Sequence, residues 1–154
     1  MTIGIMEVTL VGARGLKDTD FFGKIDPYVL IQYKGQERKS SIARGQGSSP
    51  VWNEKFSFRA EYPGAVDQYK LILKIMDHDT FSSDEYLGQS TIYLKELLEL
   101  GVENGKAEIH PRKYSIVAGD QTYSGEIQVG ITFTPKAATF NDEEDYGGWK
   151  ESAY

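Results

Sequence analysis

Alternation of apolar and polar residues with a period of two constrains this chain more than any other feature. Met6, Val8 and Leu10 are interleaved with Ile5, Glu7 and Thr9, and Phe56 and Phe58 with Lys55, Ser57 and Arg59. Leu71, Leu73 and Ile75 alternate with Lys70, Ile72 and Lys74. Near the end, Ile127, Val129, Ile131 and Phe133 alternate with Glu126, Gln128, Gly130 and Thr132. Successive side chains of an extended chain point to opposite faces, so this pattern marks strands with one face in a core and the other in water.

Further strands are expected at Tyr28–Tyr33, Arg38–Ala43, Leu87–Leu94 and Lys113–Val117. Turn chemistry separates them at Lys34-Gly35-Gln36, the Gly45–Pro50 stretch, Tyr62-Pro63-Gly64 and Gly119-Asp120. One segment, Leu94–Leu100, has helical character, and Gly101 is expected to stop it. About eight short strands at this spacing predict an all-β fold, an eight-stranded antiparallel β-sandwich with one short helix. A chain of 154 residues has room for one such domain. We place it at residues 1–135. The remainder, 136–154, loses the alternation, holds few aliphatic residues, and is expected to be a disordered acidic tail.

No stretch approaches the roughly 20 apolar residues of a membrane-spanning helix. Strand-like sequence begins almost at Met1, so a signal peptide is not expected. The absence of cysteine excludes disulfides and thiol chemistry, and suits the cytoplasm. The net charge of -6 is unevenly spread. From Ala137 to Tyr154, Asp142, Glu143, Glu144, Asp145 and Glu151 face only Lys150. In the body, Asp18, Asp20 and Asp26 fall in one loop and Asp77, Asp79, Asp84 and Glu85 in another.

Those two loops are the functional signal. Continuing the parity of Leu71, Leu73 and Ile75 by twos carries Asp77 and Asp79 over the end of the core. If both loops sit at one end of the sandwich, their carboxylates crowd a single rim. Such a cluster suits calcium, which takes roughly six to eight oxygen ligands. Zinc prefers nitrogen or sulfur, for which His78 is the local candidate. The spacing is not that of an EF-hand: counting from Asp77, the fifth, sixth and twelfth positions hold Phe81, Ser82 and Gly88.

The run Asp20 to Asp26-Pro27-Tyr28-Val29, then Pro50-Val51-Trp52-Asn53-Glu54, then Asp77-His78-Asp79 with Glu85 and Gly88, resembles the C2 domain family, calcium-dependent phospholipid-binding β-sandwiches. The resemblance covers residues 1 to 135 and extends to the small stand-alone plant members, which include elicitor-responsive and phloem proteins. It implies the type II strand order and calcium (Ca2+) as cofactor. Residue by residue it implies ligands at Asp20, Asp26, Asp77, Asp79 and Glu85, with Asp84 as a substitute for Glu85 and backbone carbonyls at Thr19 and His78. The fifth ligand of the family is usually Asp, so Glu85 is a departure.

On this reading Phe21, Phe22 and Phe81 at the loop tips insert into lipid and Lys24 contacts headgroup phosphate. Trp52 is expected in the core. Lys34, Arg38, Lys39 and Lys55 form a candidate basic sheet face for phosphoinositides, but Leu30, Gln32 and Ser40 stand where such family members carry lysine. The expected partner is an anionic phospholipid membrane, phosphatidylserine in particular. The expected location is cytoplasmic, moving to the plasma membrane when calcium rises, in stress or defence signalling. His78 and His110 lack a nucleophile or phosphate loop beside them, so enzymatic activity is not expected. Two other functions compete: RNA binding or long-distance transport of the phloem type, which the resemblance implies and which is disfavoured by the net acidity and the lack of a dense Lys/Arg cluster, and a calcium-independent protein adaptor, disfavoured by the intact acidic set.

Overall fold

The structure is a computed structural model describing residues 1–16, 25–64 and 69–136. Eight strands form in chain order: β1 (Thr2–Arg14), β2 (Pro27–Tyr33), β3 (Gln36–Lys39), β4 (Val51–Tyr62), β5 (Lys70–Asp77), β6 (Glu85–Tyr93), β7 (Ala107–Val117) and β8 (Tyr123–Pro135), with α1 (Lys95–Asn104) between β6 and β7. Their hydrogen-bonded order is β3-β2-β5-β6-β7-β8-β1-β4, and every pairing is antiparallel. The ladder narrows to one pair, Gln89 with Val117, between β6 and β7. There the order folds over into two layers of four strands.

The period-two residues meet between those layers. Val29, Ile31, Leu71, Leu73 and Ile75 come from one side, and Met6, Val8, Leu10, Ile127, Val129 and Phe133 from the other, all fully buried in one cluster. Burying each such side chain is worth roughly 1.5–3 kcal/mol, so alternation alone selects which face of each strand turns inward. Trp52 is buried as expected, with its Nε1 donating to the Ser41 carbonyl at 2.9 Å.

Three elements differ from the sequence expectation. The helix does not stop at Gly101. That residue lies inside α1 and is buried where an added Cβ would meet the Phe133 ring at 2.5 Å. The stop is Gly105, left-handed at φ 84 with its N–H donating to the Gly101 carbonyl, a glycine C-cap. The strand expected at Arg38–Ala43 is shorter and earlier. β3 pairs with β2 only from Gln36 to Lys39, and Ser40 and Ala43 continue with isolated bonds to the carbonyls of Val29 and Pro27. Finally, β7 begins at Ala107 instead of Lys113. It tolerates Pro111 because the register shifts between Ile109 and Arg112, so no ladder bond is asked of the missing N–H.

The two ends of the strand order, β3 and β4, face each other across the sandwich and are joined by side chains. The Gln36 amide donates to the Arg59 carbonyl at 2.8 Å and accepts from the Arg59 N–H at 2.9 Å. Lys34 pairs with Glu61 at 3.1 Å, and Glu54 Oε1 accepts from the Ser41 N–H at 3.0 Å.

Candidate functional site: the carboxylate rim

β5 runs out of the core at Asp77, which register places between Pro27 of β2 and Glu85 of β6. Its parity is that of Leu71, Leu73 and Ile75, and it is correspondingly buried, 9% exposed. A carboxylate at that depth needs hydrogen-bond donors or a cation. Its Oδ1 accepts the Asp26 N–H at 2.9 Å. Asp26 in turn accepts the Gly45 N–H at 3.2 Å through its own Oδ1, and its backbone carbonyl accepts the His78 N–H at 3.0 Å. Three chain segments, before β2, after β3 and after β5, are therefore tied together by Asp26 and Asp77.

Residues 78–84 fold around their own carboxylates. Asp79 Oδ1 accepts the Phe81 N–H at 2.9 Å and its Oδ2 accepts the Ser82 hydroxyl at 2.7 Å. These donors, the Phe81 N–H first, hold the Asp79 carboxyl below its usual range. Asp84 accepts the Asp79 N–H at 3.0 Å, lies 3.4 Å from His78 Nδ1, and receives a short hydrogen bond from the Tyr28 hydroxyl. The Tyr28 bond is the first cause of its lowered pKa, the Asp79 N–H the second. Tyr28 itself is buried although it projects from the opposite face to Val29 and Ile31. The Lys39 ammonium lies 4.6 Å above its ring. Burial first, then the hydrogen bond to Asp84 and the charge of that carboxylate, push the phenol up to about 12.

The structure thus brings Asp26, Asp77, His78, Asp79, Asp84 and Glu85 to one rim. Phe81 stands beside them almost wholly exposed, at 96%. Thr19, Asp20, Phe21, Phe22 and Lys24, and with them Asp18, lie outside the described residues, as does the tail after Lys136. Tyr28 and the Gly45 N–H belong to the rim although the sequence reading placed them in a strand and a turn. The signal for Tyr28 was its place two residues after Asp26.

The four cations of the expected basic face lie in the β2–β3 turn, on β3 and on β4. Lys34 sits in the β2–β3 turn at φ 54 and pairs with Glu61. Arg38 lies 5.1 Å over the Phe58 ring, Lys39 over Tyr28, and Lys55 is 4.0 Å from Glu7.

The rim is rich in carboxylate oxygens, with His78 the one imidazole named in it, a donor set that fits a hard cation such as calcium better than zinc. Among the described residues, no three His, Cys, Asp or Glu side chains are already gathered into a metal cage. Each carboxylate oxygen carries two lone pairs, so a carboxylate that already accepts a hydrogen bond can still coordinate a cation. Among the described residues, no helix is long and apolar enough to cross a membrane.

The C2 domain profile matches residues 4–110. The chain is 54% identical over 153 residues to 16 kDa phloem protein 1 of Arabidopsis thaliana, covering 99% of this chain and 98% of that one. It is 50% identical over 152 residues to elicitor-responsive protein 1 of Oryza sativa subsp. japonica, covering 97% and 96%. A solved C2 domain-containing protein superposes with a TM-score of 0.71 at 35% identity, covering 91% of this chain and 96% of that one. With the profile, the full-length relatives and the strand order in agreement, this chain is a member of the C2 domain family.

Proposed function

We propose that this chain is a calcium-regulated binding module for anionic phospholipid membranes, cytoplasmic at rest and drawn to the plasma membrane when calcium rises. The observation that supports this reading best is the tie between Asp26 and Asp77. Two loops far apart in sequence present adjacent carboxylates at the end of the core, next to an exposed Phe81.

Asp26 and Asp77 would hold the ion together with Asp79 and Glu85, and Asp20 from the first loop. Calcium bound there supplies positive charge and open coordination positions for lipid phosphate oxygens. Without it, the carboxylates keep the rim negative and repel an anionic leaflet, at about 1 kcal/mol per charge near the surface. Asp79 and Asp84 shape residues 78–84 so that Phe81 stays at the tip, where insertion of its ring adds roughly 1.5–3 kcal/mol if fully buried. That is enough for a loose, reversible attachment. The names of the relatives, elicitor-responsive and phloem protein, support a role in plant stress or defence signalling.

Sedimentation with phosphatidylserine vesicles, in calcium or in chelator, tests the reading beside an Asp77→Asn/Asp79→Asn variant. Pelleting that needs calcium and is lost in the variant is the expected result. A wild-type chain that stays in solution in both conditions overturns it and turns attention to protein partners.

A further inference from the structure

The flank opposite the β3–β4 junction opens into a cleft that calcium binding does not use. β6 and β7 share only the Gln89–Val117 pair, and beside it the layers part around a volume of about 460 Å³. That lies within the roughly 300–1,000 Å³ of small-molecule sites. In a chain whose residues are 26% charged, the lining contains no Asp, Glu, Lys, Arg or His. Tyr86, Gln89, Thr91, Ser115 and Gln121 furnish hydroxyl and amide groups instead. A charged ligand meets no counter-charge there. A ligand made of hydroxyls meets donors and acceptors of its own kind.

The groups are held in place. The Tyr86 hydroxyl donates to Gln89 Oε1 at 3.0 Å, which turns the Gln89 amide nitrogen, a donor, away from that bond. The Ser90 hydroxyl donates to the Ser115 carbonyl at 2.6 Å and pins the two walls together. Gln121 occupies φ 73, a backbone region that favours glycine. It is kept there by its own N–H donating to Ala118 at 2.9 Å, by Ala118 donating to Thr122 at 2.8 Å, and by an Asp120 turn that accepts from Thr122. A side chain maintained at such a position is a place where the fold tolerates strain, as it does at ligand sites. Tyr86, 41% exposed, is the aromatic ring among the lining residues, a side chain suited to stacking on the C–H side of a saturated ring.

The cleft also adjoins the carboxylate rim along β6. Tyr86 follows Glu85 of the rim, and the β7–β8 hairpin sits beside the end of β1, where Arg14 pairs with Glu126. We propose that this cleft binds an uncharged polyhydroxylated ring, a glycosyl or cyclitol group, either free or as the headgroup of a neutral glycolipid.

The test uses the full chain in chelator, so that its outcome is separate from the calcium reading. Amide spectra are followed during titration with galactose and with myo-inositol. Vesicle binding is compared between phosphatidylcholine alone and phosphatidylcholine carrying a galactosyl diacylglycerol. Expected shifts concentrate at residues 86–91 and 115–123. Tyr86→Ala and Gln121→Gly each weaken the response about tenfold, the equivalent of one or two net hydrogen bonds. Gln121→Gly relaxes the backbone, so a folded spectrum is assured for at least one variant. Saturation by a free sugar identifies a soluble ligand. A response confined to the glycolipid vesicles identifies a headgroup. No response in any arm, or one indifferent to both substitutions, overturns the proposal.

Discussion

The Tyr28 hydroxyl donates a hydrogen bond to the Asp84 carboxylate, joining the outer face of β2 to the loop that leaves β5. Because Tyr28 is buried, this bond anchors residues 78–84 to the body of the sandwich. Tyr28→Phe keeps the ring under Lys39 and removes only the donor. It should lower unfolding stability in chelator by about 1 kcal/mol, since the lost bond is to an ionised group with other donors still present. Urea unfolding measures this, and an unchanged midpoint would show that the anchor is redundant.

The rim should also register in acid. Asp79 and Asp84 both titrate below their ordinary value of 3.8. Their contribution is therefore fully present above that value and disappears as pH falls through the lowered ones. Stability measured by urea between about pH 5 and pH 2 should decline, and Asp84→Asn should flatten that decline. An identical slope in the variant would place the acid sensitivity elsewhere.

At the alkaline end the sign reverses. Burial raises the Tyr28 and Tyr33 phenols to about 12, with Asp84 and Glu61 respectively adding to the effect. The unfolded chain ionises them first, near 10.0. The stability they contribute is complete below that pH and is lost as pH rises through the folded values. Tyr28→Phe/Tyr33→Phe should shift alkaline unfolding, followed by circular dichroism, to higher pH.

Two glycines, Gly101 inside α1 and Gly105 capping it, should behave differently for different reasons. Alanine is the better helix former by about 1 kcal/mol, yet Gly101→Ala should destabilise because its methyl would press on the Phe133 ring. Gly105→Ala has open space around it and should still cost about 1 kcal/mol, because φ 84 disfavours any side chain. Thermal melts of the two variants, with Leu added at Gly105 as a third, separate crowding from backbone strain. Only at Gly101 should the penalty grow with side-chain size.

Phe81 provides the contrast between folding and attachment. With its ring in solvent, Phe81→Ala should leave the melting temperature unchanged. Its affinity for phosphatidylserine vesicles in calcium should fall by about tenfold, the lower end of what burial of the ring is worth. A variant that binds as well as wild type would remove Phe81 from the membrane contact.

Parity carried the sequence reading furthest. Counting by twos from Leu71 put Asp77 on the core side of its strand, and it is buried there. What parity cannot supply is register. The contact of Asp26 with Asp77 depends on Pro27 pairing with Asp77, and that follows from how β2 and β5 slide against each other. Tyr28 was hidden for a related reason: its partner lies 56 residues away on a loop whose course no local pattern encodes. The helix end was misplaced because two glycines four residues apart look alike in sequence. One is small so that Phe133 can pack, and the other is small so that the backbone can turn left-handed.

A sheet edge with open N–H and C=O groups is a template on which another chain can add a strand. β4, twelve residues long and last in the strand order, is such an edge. At its Arg59 the place of the next strand is already taken by one side-chain amide, that of Gln36. Copies of this chain crowded together on one surface would find that position occupied, and could lie side by side without zipping into ribbons.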